Sequence, residues 1–154
     1  MFESLESFLL DYGYAGLFLS SFLASTILPF GSEGLVWLLV SRKFDVPAVI
    51  MVATAGNFLG ACTSYYIGFK GGNYMEKYLR ISAAQIQKAR KYFATYGSWA
   101  LLFTWVPLIG DAITVTGGIL RLRFRTFAIL VFAGKFLRYL VIAYLPVVLP
   151  LILK

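Results

Sequence analysis

Four charged residues stand inside long uncharged stretches of this sequence: Glu33, Asp111, Lys135 and Arg138. A charge at the centre of a bilayer costs about 2.5–3.5 kcal/mol even on lenient insertion scales, so such residues face a protein interior and pair. Lys135 and Arg138 are three residues apart, which places them on one face of a helix. Two acids on separate segments and two bases on one helix can neutralise one another as a purely structural core. They can equally form a polar midplane site, where the bases attract an anionic group and the acids bind protons or counter the bases. Asn57, in another uncharged run, suits a hydrogen bond across helices or to broken backbone, and equally plain packing. Ser25, Thr26, Ser32, Thr104, Thr114 and Thr116 can bond in the same way.

Composition says which setting these residues occupy. The chain has 154 residues, 60% of them hydrophobic and 14% charged, against about 45–50% and 25% in soluble domains. A soluble chain this short leaves too much surface wet to hide that apolar content. A lipid-embedded single membrane domain over residues 1–154 is expected. There is no histidine, which excludes imidazole bases, Ser-His-Asp triads and His-ligated zinc. The single cysteine, Cys62, rules out an intrachain disulfide and a thiolate cage. No catalytic residue, metal or cofactor is therefore expected, and the protein is read as no enzyme.

Fourteen Lys and Arg against seven Asp and Glu give a net charge of +7. In this setting the partner is an anionic membrane surface and not nucleic acid. The first stretch carries only acids, Glu3, Glu6 and Asp11, which argues against a cleavable signal peptide. Bases crowd into Lys70–Lys91 and into Arg121, Arg123 and Arg125.

The elements that must position the charges follow from the uncharged runs. Residues 12–32 are uncharged, Glu33 interrupts, and 34–41 are uncharged again. Residues 46–69 form one unbroken run of spanning length, with Pro47 in a first turn where proline is tolerated. Residues 92–110 repeat the first arm, Asp111 interrupts, and 112–120 follow. Residues 126–153 are apolar apart from Lys135 and Arg138, and Pro146 and Pro150 are expected to end that helix. Sliding the chain by 78 residues lays Pro29 on Pro107, Glu33 on Asp111, Tyr66 on Tyr144, and Ala55-Gly56-Asn57-Phe58-Leu59 on Ala133-Gly134-Lys135-Phe136-Leu137. Two units of this kind suggest transporter-style duplication: repeat 1 over about 12–69, a connector over 70–97, and repeat 2 over about 98–147.

Residues 14–41 as one straight helix would measure about 42 Å, more than a core of about 30 Å needs. Pro29, Gly31 and Gly34 surround Glu33, and Pro107 and Gly110 precede Asp111, so each cluster predicts a mid-membrane break. If both broken segments span, the bases divide five to seven; if both turn back, nine fall on one side and three on the other. The stronger asymmetry favours re-entrant hairpins and a cytoplasmic Lys70–Lys91 region. Each repeat then crosses once, and the halves are inverted. Residues 73–96 read as an amphipathic interfacial helix, with Ser82 and Gln85 spaced as a capping box. Gly56, Gly60 and Gly134 read as close helix contacts. The fold class is thus all-α, with two inverted repeats of re-entrant hairpin plus transmembrane helix.

These residues carry a resemblance. Pro29-Phe30-Gly31-Ser32-Glu33, Ala55-Gly56-Asn57-Phe58-Leu59-Gly60, the Lys91-to-Gly97 stretch, Phe103-x-Trp105-x-Pro107-x-x-Gly110-Asp111 and Gly118 before Lys135 resemble, in order and spacing, the DedA superfamily (the VTT or SNARE-associated domain). Its short YqaA-like branch is the nearest in kind, and the likeness covers about residues 8–145. The resemblance implies paired re-entrant hairpins, an inverted repeat and movement of lipids across the bilayer, including undecaprenyl phosphate in bacteria, with proton coupling proposed. It gives Glu33 the place of the family's acid after the first hairpin proline. The main branch carries two arginines around its second hairpin; here Trp105 and Gly110-Asp111 stand near those places, leaving Lys135 and Arg138 to supply positive charge.

The expected function is a transporter or scramblase-like protein for an amphiphilic, phosphate-bearing lipid, with proton coupling allowed. A proton-coupled carrier or channel for a small solute or ion is an alternative, and so is a structural or assembly protein without substrate. Membrane lipids, lipid phosphates and protons are the expected partners, a homo-oligomer is allowed, and a bacterial or archaeal cytoplasmic (inner) membrane is the expected location.

Overall fold

The computed structural model describes residues 2–26, 32–71, 81–106 and 109–152, which are helical with no strand among them. In chain order the elements are α1 (Phe2–Ala24), α2 (Ser32–Ser41), α3 (Val46–Gly71), α4 (Ala83–Tyr96), a 3-10 helix (Gly97–Trp105), α5 (Ile109–Ile119) and α6 (Phe124–Ile152). Pro29, Gly31 and Pro107, expected as breaks, lie outside the described residues, and so do Lys77 and Arg80 of the basic stretch. Gly34 and Gly110 lie inside the first turns of α2 and α5, not in the connections before them.

Local sequence explains the starts and stops. The Asp45 carboxylate accepts from Ala48 N–H at 3.0 Å, capping α3 just before Pro47. Ser82 and Gln85 satisfy each other's backbone N–H groups and start α4. α2 and α5 end in the same way. Phe44 N–H reaches back to Leu39 O and Lys43 N–H to Val40 O; Leu122 N–H reaches Gly117 O and Arg121 N–H reaches Gly118 O. Both are Schellman ends. Their left-handed residues, Lys43 (φ 65°) and Arg121 (φ 53°), are 78 positions apart, where glycine is usual. α1 departs from helical geometry at Gly13 (φ 38°, ψ −102°).

One expectation needs correction. α6 runs through Pro146 and Pro150 to Ile152. Each proline removes one N–H from the helical ladder, a loss that membrane helices tolerate where neighbouring groups re-satisfy the freed carbonyl. The part of the amphipathic connector that starts at the Ser82–Gln85 capping box is helical from Ala83 as expected, with Ile86, Ala89 and Phe93 turned inward, and residues 73–80 lie outside the described residues.

α3 is the central element, packed against α1, α5 and α6, while α2 packs about equally on α1, α3 and α6, and α4 packs on α5. The buried face of α3 is a ladder of every fourth residue, Val49, Ala53, Asn57, Ala61 and Tyr65. The buried face of α6 is the same ladder 78 residues on, Phe127, Val131, Lys135, Tyr139 and Ala143. Val49 and Ala53 share an apolar cluster with Tyr139 and Ala143; Ala61 and Tyr65 share another with Phe127 and Val131. The two helices therefore pass in opposite directions, and Asn57 and Lys135 fall between the two apolar clusters.

Glycines set the close approaches. A Cβ on Gly56 or Gly60 would strike the Phe18 or Phe22 carbonyl, with Ser21 of α1 and Ser25 just beyond its end lying opposite them. This small-xxx-small pairing brings backbones together without needing large side chains. Gly134 likewise faces the Leu102 carbonyl. Outer faces are apolar too: Leu19, Met51, Ile129, Leu137 and Val141 are exposed. α3 and the Phe124–Leu145 part of α6 are long and apolar enough to cross a membrane.

Candidate functional site

The lone acids sit at helix starts. Glu33 is in the first turn of α2 and Asp111 in the first turn of α5, where the positive end of the helix dipole favours a carboxylate. Both bases come from the middle of α6. Arg138 forms a salt bridge with Glu33. Lys135, only 2% exposed, interacts electrostatically with Asp111, which is itself partly buried. Arg138 thus pairs with an acid of the first half of the chain, while Lys135 lies within electrostatic range of an acid of the second. Glu33 retains about a third of its side-chain exposure and Arg138 a seventh, whereas Lys135 is enclosed.

An apolar groove with a volume of about 780 Å³ opens beside the Glu33–Arg138 pair. Leu102 and Trp105 of the 3-10 helix and Leu137 and Val141 of α6 line it. A 3-10 helix nine residues long is unusual, because its hydrogen bonds are poorer than those of an α-helix. Here it swings Trp105 to the groove, while Thr104 is turned inward and bonds its own Leu101 carbonyl at 2.8 Å. The chemistry offered is an ion pair at the edge of a hydrocarbon-like slot, suited to a molecule with an anionic head and an apolar tail.

Asn57 bonds across helices: its Nδ2 donates to the Ser21 carbonyl at 3.1 Å. The Ser32 and Tyr139 hydroxyls meet at 2.8 Å. Among the other hydroxyls singled out in the sequence, Thr26 bonds the Phe22 carbonyl at the end of α1, Thr114 bonds the Gly110 carbonyl of its own helix, and Ser25 and Thr116 leave their side-chain oxygens unpartnered. Three participants escaped sequence reasoning. Tyr139 follows Arg138 and lies one turn after Lys135, a position that was a usable signal. Ser21 and Leu102 gave none, since nothing in their types separates them from packing. Among the described residues no three acidic, thiol or imidazole groups gather as a metal cage would require.

Fold and site together describe a small helical membrane protein with a paired charge site beside an apolar groove. The VTT domain family model matches residues 12–147, and the chain belongs to that family, the DedA superfamily. It is 37% identical over 137 residues to an uncharacterized protein of Haemophilus influenzae, covering 84% of each chain. It is 34% identical over 128 residues to inner membrane protein YqaA of Escherichia coli, covering 82% of this chain and 86% of the relative. Undecaprenyl phosphate transporter A of Staphylococcus aureus is 22% identical over 147 residues, with 87% of this chain and 72% of that protein aligned. No solved structure is a significant match.

Proposed function

We propose that the protein moves an amphiphilic, phosphate-bearing lipid across the bilayer. One observation carries the reading: the Glu33–Arg138 pair stands at the wall of an apolar groove about 780 Å³ in volume. The guanidinium fork matches a phosphate bidentately, and the groove walls suit a lipid tail while the head passes along the polar side. The name of the Staphylococcus aureus relative, a transporter of undecaprenyl phosphate, supports the same substrate chemistry. Lys135 and Asp111 form the second half of the site, and Glu33 and Asp111 are the carboxylates able to carry a proton if movement is coupled to one. Asn57 positions the neighbouring backbone through Ser21.

The architecture belongs to the proposal. α2 and α5, each starting next to its acid, are read as inner arms of two re-entrant hairpins, and α3 and α6 as the spanning helices of inverted repeats. The opposed packing of α3 and α6 supports this, as do matched helix ends 78 residues apart. Lys70–Lys91 then lies on the cytoplasmic side of an inner membrane. In a Cys62→Ala background, single cysteines at Lys43 and Gln85 are expected to react with a membrane-impermeant maleimide from opposite sides; labelling from one side overturns the re-entrant reading.

The function is tested in proteoliposomes holding a fluorescent polyprenyl phosphate or a fluorescent phospholipid. Protein-dependent movement of the phosphate-bearing probe is expected, and its absence overturns the proposal. Ionic current without lipid movement would show a solute or ion channel instead. A changed pH dependence in Glu33→Gln and Asp111→Asn is the expected mark of proton coupling.

A further inference from the structure

Behind the ion pair lies a second group of polar side chains that the groove does not reach. Ser21 of α1, Ser32 of α2, Asn57 of α3 and Tyr139 of α6 converge from four helices, and each is at most 3% exposed. Their hydrogen bonds do not close. Ser32 and Tyr139 share one bond, so whichever hydroxyl donates, the other keeps an unused O–H. The side chains of Ser21 and Asn57 are hydrogen-bond neighbours of the Tyr139 hydroxyl, at geometries that fall short of a full bond. Yet neither Ser21 Oγ nor Asn57 Oδ1 has a hydrogen-bond partner. Leaving two such atoms bare in an apolar core is costly, because each has given up its hydrogen bonds to water and gained none in return.

We infer that this cluster binds an exchangeable water molecule, held by Ser21, Asn57 and the Ser32–Tyr139 pair. Water fits the inventory. It accepts the spare O–H and donates to Asn57 Oδ1 and Ser21 Oγ, within the two to four partners typical of a buried water. A metal cation fits less well. The donors are neutral, the Glu33 carboxylate is already paired, and the positive groups of Arg138 and Lys135 lie beside Tyr139 on α6. Position gives the water a consequence. Ser32 precedes Glu33 on α2 and Tyr139 follows Arg138 on α6, yet none of the four cluster residues lines the groove. The ion pair therefore separates an apolar groove from a wet interior. If the proposed lipid movement holds, a head group passing the pair meets hydrogen-bonding groups and not hydrocarbon.

X-ray radiolytic footprinting of the full chain in nanodiscs tests the water itself and involves no transport substrate. Hydroxyl radicals form from bound water as well as bulk water, so a buried ring beside a water is oxidised while a dry one is spared. Tyr139 is expected to be labelled several-fold faster than Phe127, which is fully buried in the apolar cluster. Ser21→Ala with Asn57→Val is expected to slow Tyr139 labelling towards the Phe127 level. Wild-type Tyr139 as inert as Phe127 overturns the inference. Protection of Tyr139 by sodium chloride but not by choline chloride also overturns it, in favour of a cation. The wild-type comparison decides the matter even if the double variant does not fold, and failed lipid movement leaves it untouched.

Discussion

Arg138→Ala is expected to abolish movement of a phosphate-bearing lipid in proteoliposomes, to the level of protein-free vesicles. Two losses combine in this variant. The groove loses its cation, and Glu33 keeps a carboxylate facing apolar walls with no counter-charge. The stranded, partly buried charge should destabilise the protein by about 1–3 kcal/mol. Adding Glu33→Gln removes the stranded charge and should recover most of that stability, because taking out both members of a pair costs less than taking out one. It should not recover lipid movement. That divergence separates a binding role from a structural one: if the double variant regains both, the pair is a structural lock. If Arg138→Ala transports normally, the groove is not the lipid's route. Thermal unfolding in detergent and dithionite quenching of a fluorescent probe give the two readouts.

Gly118→Ala should be the most damaging small substitution in the described chain. α3 and α5 cross where Gly68 faces the Val115 carbonyl and Gly118 faces that of Tyr65. A Cβ on Gly118 would also lie 2.9 Å from Phe69 N. These are backbone atoms, which cannot turn aside as a side chain would, so the helices must part. The crossing is further tied by the Tyr65 hydroxyl, which donates to the Leu122 carbonyl. A loss at the upper end of about 1–3 kcal/mol is expected, read as a lower melting temperature and poor yield. Gly34→Ala is the control. Its Cβ would meet nothing within 4 Å, and helix propensity should make the change neutral or stabilising by up to about 1 kcal/mol. Equal behaviour of the two variants would mean that the crossing is looser than the structure shows.

Much of the architecture could be read from charge alone. The uncharged run over 46–69 became α3, and Ser82 with Gln85 marked the start of α4. The offset of 78 that aligns Glu33 with Asp111 also aligns the buried ladders and the Schellman ends. Other features depend on tertiary context. Pro146 and Pro150 looked like a stop because sequence rules count the lost N–H, yet α6 continues through both. The 3-10 helix carries the same kinds of apolar residue as an α-helix, so periodicity had nothing to report. In the site, residue types named the four charges, but pairing Arg138 with Glu33 and bringing Lys135 within electrostatic range of Asp111 is a matter of how α6 is rotated. Ser21 and Tyr139 acquire meaning only when four helices meet.

The two short helices of the duplicated pattern are not held alike. α5 is let into α3 through Gly118 and Gly68, backbone against backbone. α2 carries Leu39 and Val40 where α5 carries Gly117 and Gly118; it buries Val36 and Leu39 among side chains of α1, α3 and α6 and is joined to α6 through a salt bridge and one hydroxyl bond. Side-chain links of this sort exchange partners at modest cost, while interlocked backbones do not slide. One arm is thus seated backbone against backbone, and the other is held by side chains. Any rearrangement that widens the groove is expected to be carried by α2.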